Sequence, residues 1–135
     1  MATTINGVCE ALAGALEDVP GLRAKGYADD TVNPNEAQVF TRDFDPRLTF
    51  GTTSHSYQLG VRVMVKRQEI RSAQKTLRDF MEPTGSTSIL AAIEDESNWS
   101  AEVQYAEVTS IGQPFELENA NETYWAVDFD VDVVW

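Results

Sequence analysis

Cysteine and histidine are almost missing from this chain, with Cys9 and His55 the only examples among 135 residues. A single cysteine excludes an intramolecular disulfide, and its place beside the apolar stripe of a predicted helix indicates a buried, inert thiol. Ser54 and Ser56 flank His55, but neighbours on a strand or loop point apart and form no nucleophile–base pair. No cysteine–histidine set has metal-ligand spacing. We therefore predict no bound metal, no cofactor and no enzymatic activity.

Basic residues are also scarce, since ten Lys and Arg face 22 Asp and Glu and the net charge is −12. Binding to phosphate needs clustered Lys and Arg, so this charge disfavours DNA, RNA and anionic lipid as main partners. No apolar run approaches the ~20 residues that span a bilayer, and no signal peptide opens the sequence. The single cysteine favours a reducing compartment such as a cytoplasm. We expect other protein subunits, and no membrane, as partners.

A chain of 135 residues fits one domain, here residues 1–135, with one hydrophobic core. Apolar periodicity and the positions of Pro and Gly predict an α+β fold, in which helices pack on one side of an antiparallel or mixed β-sheet. Ser86 is the predicted N-cap of the third helix. The predicted helices are residues 4–18, 68–82 and a shorter one after Ser86; the predicted strands are 37–42, 57–66, 101–111 and 124–135; the predicted connections are a loop at 22–36, a long connection or extended hairpin at 43–56, and a turn at 118–122.

The last predicted strand alternates apolar residues with Asp128, Asp130 and Asp132. Alternate residues of a strand lie ~6.6 Å apart, so the three carboxylates fan out and do not converge on one ion. An EF-hand loop also needs a Gly at its sixth position and a Glu at its twelfth, and both are missing here. We predict an acidic face that is solvated or faces a channel and binds no structural cation.

The few basic residues are concentrated, because six of the ten lie in one predicted strand–helix unit. At ~100° per residue, Arg67, Arg71, Lys75 and Arg78 occupy one sector of the helix, away from its apolar face. Two interpretations remain open. The sector is either a solvated helix face or a docking stripe for an acidic surface on another subunit.

Six stretches of the sequence form a recognisable combination. They are Val-Pro-Gly-Leu at 19–22, Thr-Phe-Gly at 49–51, Arg-Ser-Ala-Gln at 71–74, Phe-Met-Glu-Pro-Thr-Gly-Ser at 80–86, Ser-Ile-Leu-Ala-Ala-Ile-Glu at 88–94 and Tyr-Trp-Ala-Val-Asp-Phe-Asp-Val at 124–131. Together they resemble the tail terminator family of long-tailed bacteriophages, also called tail completion or head-to-tail connector proteins. The resemblance spans nearly the whole chain, and its most specific part is a helix–Pro-x-Gly-Ser–helix segment.

This resemblance implies a subunit of a hexameric ring at the head-proximal end of the tail tube. The ring would end tube polymerisation and join the tail to the head-side connector, or stopper. The implied partners are further copies of the chain, the tail tube protein and the stopper, while DNA passes through the channel without specific binding. The implied location is the tail or neck of the virion, assembled in the cytoplasm of a bacterial host. The family has no catalytic residues to carry over.

Two parts of the chain are candidate contact regions under this interpretation. The 43–56 segment, with Phe44 and Phe50, is long enough to reach a neighbouring subunit. Trp99 is either a contact anchor, as aromatic residues often are at interfaces, or a buried core residue; it stands in Asn-Trp-Ser at 98–100, where relatives have a Leu-Gly-Gly-like turn. The alternatives are another neck or tail component, such as a stopper or tube protein, and a small carboxylate-dependent enzyme or ligand-binding domain.

Overall fold

The structure, a computed structural model, describes residues 5–20, 22–26, 35–42, 49–50, 54–66, 70–95, 105–119 and 122–134. These residues form an α+β fold with a mixed sheet, which confirms the predicted fold class. In chain order the elements are α1 (Ile5–Glu17), β1 (Arg23–Lys25), β2 (Glu36–Thr41), β3 (Thr49–Phe50), β4 (Ser54–Lys66), α2 (Ile70–Met81), α3 (Ile89–Glu94), β5 (Tyr105–Ile111), β6 (Phe115–Asn119) and β7 (Glu122–Val134).

Two long central strands organise the sheet, whose order is β1-β2-β4-β7-β5. The β4–β7 pair is antiparallel and runs without a break from Ser56↔Val134 to Lys66↔Tyr124. Strands β5 and β6 both pair with β7, and a register shift interrupts β5 between Val108 and Ser110. Among the strands that the structure describes, β1 and β2 are the one parallel pair. The short β3 pairs with the start of β4.

The helices cover one face of this sheet. Every second residue of the central strands is apolar on that face, and the apolar stripes of the helices pack against these residues. Alternate residues of β4 and β7 point to that face and join the buried residues of all three helices in one hydrophobic cluster. Full burial of one such side chain stabilises the folded state by about 1.5–3 kcal/mol. The central members are Leu12 and Leu16 of α1, Leu77 and Phe80 of α2, Ile89 and Ile93 of α3, Val61 of β4 and Phe129 of β7.

The connection between α2 and α3 is fixed by side chains and by one glycine. Gly85 has φ 106°, a left-handed conformation that glycine adopts without a steric penalty. The Ser88 hydroxyl accepts a hydrogen bond from the Ala91 amide at 3.0 Å and donates one to the Glu82 carbonyl. Ser88, not Ser86, is therefore the N-cap of α3. The prediction placed the cap two residues early because α3 begins only at Ile89, three residues after Ser86.

Two strands were not predicted. β1 falls within the predicted 22–36 loop and has only three residues, held by parallel pairing to β2. β6 follows β5 after three residues, in a stretch to which the prediction assigned no element, and its end overlaps the predicted turn at 118–122. The β3–β4 pairing makes part of the 43–56 segment an extended hairpin, one of the two predicted forms. The rest of that segment, at 43–48 and 51–53, lies outside the described residues, as do 67–69 and 101–104.

Candidate functional site

Three of the four residues of the predicted basic stripe lie on α2. Arg71, Lys75 and Arg78 are all exposed and lie at spacings of four and three residues, so they share one side of the helix. We call these three residues the α2 basic face. Among the described residues, none of the three forms an ion pair.

The remaining candidate contact residues are only partly covered by the structure. Arg67, Phe44 and Trp99 lie outside the described residues. Phe50 belongs to β3, but its side chain is not described. Their proposed contacts therefore remain predictions.

A groove of about 360 Å³ adjoins the α2 basic face. Gln74 and Arg78 form its α2 wall, Gln113 and Pro114 come from the β5–β6 connection, and Trp125 comes from β7. One cation, two amides and two apolar rings thus surround a single depression. Such a lining suits a partner that brings an acidic group together with an aromatic or apolar side chain.

The three predicted acidic residues of β7 lie on the face of the sheet opposite the core; none of the described helices covers it, and we call it the helix-free face. Asp128 accepts hydrogen bonds from Arg62 Nε at 2.8 Å and Arg62 Nη2 at 3.1 Å. Asp130 Oδ1 lies 2.9 Å from Arg42 Nη2, and Asp130 Oδ2 accepts a hydrogen bond from Ser110 at 2.8 Å. Asp128 and Asp130 are thus half-buried and ion-paired, which the alternation pattern alone did not predict. Whether this face lines a channel remains a prediction.

Arg62 is clamped between two aromatic rings on this face. Its guanidinium carbon lies 5.4 Å from the ring centroids of both Phe40 and Phe115. Arg42 stacks on Phe40 as well, at 5.1 Å. Gly60 makes room for this layer, because a Cβ there would lie 2.3 Å from the Phe40 ring. Cation–π contacts and a bidentate carboxylate fix the guanidinium in one orientation; we call Phe40, Arg42, Arg62, Phe115, Asp128 and Asp130 the Arg62 cluster.

The carboxylates of the Arg62 cluster have arginine partners, whereas Asp132 beside the cluster faces another carboxylate. The hydrogen bond that Arg62 donates to the Asp128 carboxylate raises the pKa of Arg62, with partial burial acting against it. Asp132 stands directly opposite Glu107 of β5. Partial burial, followed by the charges of Glu107 and Asp130, raises the pKa of Asp132. The end of the face that holds Glu107 and Asp132 therefore carries charge repulsion, whereas Asp128 and Asp130 in the Arg62 cluster are paired with arginines.

A second polar group is buried at the β1–β2 edge. Glu36 is completely buried, accepts a hydrogen bond from Gln38 Nε2 at 2.9 Å and lies 3.0 Å from Lys25 Nζ. A buried carboxylate needs such partners, since an unpaired charge there would be costly. Because Lys25 and Gln38 are partners of its carboxylate, we interpret Glu36 as a residue that stabilises the fold.

The chemistry open to these groups depends on their partners. The carboxylates of Asp128 and Asp130 are each held by an arginine. Among the described residues, no three His, Cys, Asp or Glu side chains are grouped as metal ligands. Burial raises the pKa of the Cys9 thiol, with a smaller effect from Glu10, so this group favours its unreactive protonated form. What the site offers is charged and aromatic surface.

The sequence interpretation missed Phe40, Arg42, Arg62 and Phe115 as parts of this site. One signal was present: Arg62 lies on the polar side of the β4 alternation, as Asp128 does on β7. Pairing the polar sides of the two longest strands would have suggested a cross-strand ion pair. The exact register, Arg62↔Asp128, becomes known only from the sheet.

No protein-family model matches the chain, and comparison with curated proteins finds none with significant similarity.

The helices in the described part of the chain are too short or too polar to cross a bilayer.

Proposed function

We propose that this chain is the subunit of a ring at the head-proximal end of a bacteriophage tail tube. The ring ends tube polymerisation and joins the tail to the head-side connector. Its role is structural and involves no catalysis. The starting point is the sequence resemblance to tail terminators, whose most specific part lies at residues 80–94.

The observation that carries the proposal is the α2–α3 junction. The Pro-x-Gly-Ser segment builds a defined turn there, with Gly85 at positive φ and the Ser88 amide donating to the Gly85 carbonyl at 3.2 Å. Thr87 Oγ1 also donates to the Asp79 carbonyl at 3.1 Å, tying the turn to the end of α2. The residues behind the resemblance are therefore ones that determine local geometry. This supports a shared fold better than a similarity of composition would.

Surface chemistry supports the same proposal. A body of net charge −12 carries an exposed cationic helix face, so copies of the chain have complementary surfaces. A closed ring requires such heterologous contacts between different patches of the same subunit. An acidic channel would also let DNA pass without adhering to it.

Capping of purified tail tubes tests the proposal. Tubes from the phage that encodes this chain are incubated with tube protein, with and without the purified chain, and their lengths are measured by electron microscopy. We expect the chain to bind one end of each tube and to stop growth there. The matched control is Phe129→Asp, which puts a charge into the core at a fully buried position and should abolish capping by unfolding the chain.

Tubes that elongate at an unchanged rate and carry none of the wild-type chain would rule out the terminator role. Capping at both ends would also contradict it, because a terminator must match the tube on one face only.

A further inference from the structure

Six of the cations in the described part of the chain fall into two contrasting groups. The half-buried Lys25, Arg42 and Arg62 each lie within ion-pair distance of a carboxylate. The α2 basic face is exposed, and its three cations have no ion pair among the described residues. In a chain with 22 acidic residues and only ten basic ones, a concentrated basic surface without ion pairs would suit an acidic partner.

The groove beside Arg78 indicates which chemical groups that partner should present. It adds the Trp125 indole and the Pro114 ring to the charged surface. Aromatic side chains bury a large area at small entropic cost and prefer such pockets at interfaces. The best fit is therefore an acidic surface that also presents an exposed aromatic ring.

The chain itself carries such a surface at its β5 edge. Tyr105 is 46% exposed, the one large apolar side chain so exposed in the described part of the chain. Its hydroxyl donates to Glu107 Oε2 at 3.2 Å, and Glu107 lies opposite Asp132. We call Tyr105, Glu107 and Asp132 the Tyr105 acidic edge. The carboxylates of Glu107 and Asp132 repel each other, and an incoming cation would relieve that repulsion.

We propose that the α2 basic face and its groove receive the Tyr105 acidic edge of a second copy of this chain. The inference deepens the proposed function and rests on it for the premise that copies meet in a ring. The two surfaces lie on opposite faces of the sheet, since α2 packs on the core side and Glu107 pairs with Asp132 on the helix-free side. One copy therefore cannot satisfy its own patches, and the contact is heterologous, the kind that generates rings.

Site-directed cross-linking tests the contact. Lys75→Cys and Glu107→Cys replace one exposed residue from each surface, and the native Cys9 is buried and does not compete. The two variants are mixed at high concentration, alone and at tube ends, and treated with a short bismaleimide. We expect covalent dimers from the mixture and none from either variant alone. A chain carrying both substitutions should give a ladder of oligomers.

The matched control is Lys75→Cys mixed with Glu17→Cys, an exposed acidic position on α1, which should not cross-link. Charge exchange supplies a second readout. Lys75→Glu or Glu107→Lys alone should weaken self-association roughly tenfold, and combining the reversed charges should restore it.

Three outcomes would overturn the inference: no cross-link in the mixture, cross-linking of Lys75→Cys with itself, or equal cross-linking of the Glu17→Cys control. These failures are separable from failure of the terminator role. Tubes capped by protein that gives no Lys75–Glu107 cross-link would leave the function standing and the interface wrong. Cross-linked oligomers that never bind a tube would support the interface and contradict the terminator role.

Discussion

The two faces of the β-sheet are built from neighbouring residues of the same strands and are held together by different physics. Val61 faces Phe129 on the helix side, where both side chains are fully buried among apolar groups. One residue further along, Arg62 faces Asp128 across a bidentate ion pair on the helix-free side. The core is stabilised by buried apolar area and close packing, to which many residues contribute. The Arg62 cluster depends on the orientation of a few groups, so the faces should respond differently to substitution.

The largest effect is expected on the core face. Phe129→Ala removes the largest of the fully buried side chains, and the free energy of unfolding should fall by about 3–5 kcal/mol because of lost transfer energy and a cavity. Urea denaturation followed by circular dichroism measures it. A loss below about 1 kcal/mol would mean that the surrounding side chains collapse into the space, and that the core is less closely packed than the structure indicates.

The next effect concerns the space between the sheet and the Arg62 cluster. Gly60→Ala places a Cβ 2.3 Å from the Phe40 ring, so the ring must move off its two arginines, at a cost of about 1–3 kcal/mol. The matched control is Gly14→Ala, since Gly14 lies in α1 with no atom within 4 Å of the added Cβ. That change should stabilise the chain by up to about 1 kcal/mol, because alanine favours helix. Loss of stability at both positions, or at neither, would contradict this account of Phe40.

A smaller effect isolates the ion pair itself. A double-mutant cycle with Arg62→Met and Asp128→Asn should give a coupling energy of about 1 kcal/mol, at the upper end for partly exposed pairs. The control cycle combines Asp128→Asn with Arg42→Met in place of Arg62→Met. Arg42 Nη2 lies 3.8 Å from Asp128 Oδ2, so this coupling energy should be smaller. Equal couplings, or none for Arg62, would show that the bidentate geometry adds nothing.

The smallest effect comes from the uncompensated end of the same face. The pKa of Asp132 is raised in the folded chain, so ionisation of this group opposes folding at neutral pH. Asp132→Asn should therefore stabilise the chain at pH 7 by about 0.2–1 kcal/mol. The gain should disappear as the pH falls below the pKa of the unfolded carboxyl, where Asp132 is neutral in both states.

The control for this pH dependence is Glu118→Gln, an exposed acidic residue of β6 that lies opposite Thr123. It should change stability little at either pH. A gain for Asp132→Asn that persists at pH 3 would trace the effect to packing and remove the electrostatic explanation.

The contrast between the two faces also explains what the sequence could predict. The period-2 pattern of β4 and β7 and the period-3.6 pattern of α1 and α2 are local, so these elements were predicted nearly to their ends. β1 has three residues and exists through its parallel pairing with β2, a contact that local patterns do not contain.

The site follows the same division. The α2 basic face could be read from helical spacing, because Arg71, Lys75 and Arg78 belong to one element. The Arg62 cluster joins side chains from β2, β4, β6 and β7, and it depends on registers that arise only when distant strands pair. Chemistry spread over several strands is therefore harder to predict than chemistry on one helix, even where every residue type involved is conspicuous.

One contact of α3 has a consequence for how growth of an assembly is limited. Glu94 Oε2 accepts the Val108 amide of β5 at 3.3 Å, so this edge-strand amide is taken by a side chain. An open strand edge is a template on which further chains add without end, as in fibrils. With that amide occupied, and with the β5 register shifted between Val108 and Ser110, main-chain extension of the sheet is discouraged. Glu94→Ala should expose this template, and the variant should then form fibrils or sheet-like aggregates more readily than the wild-type chain.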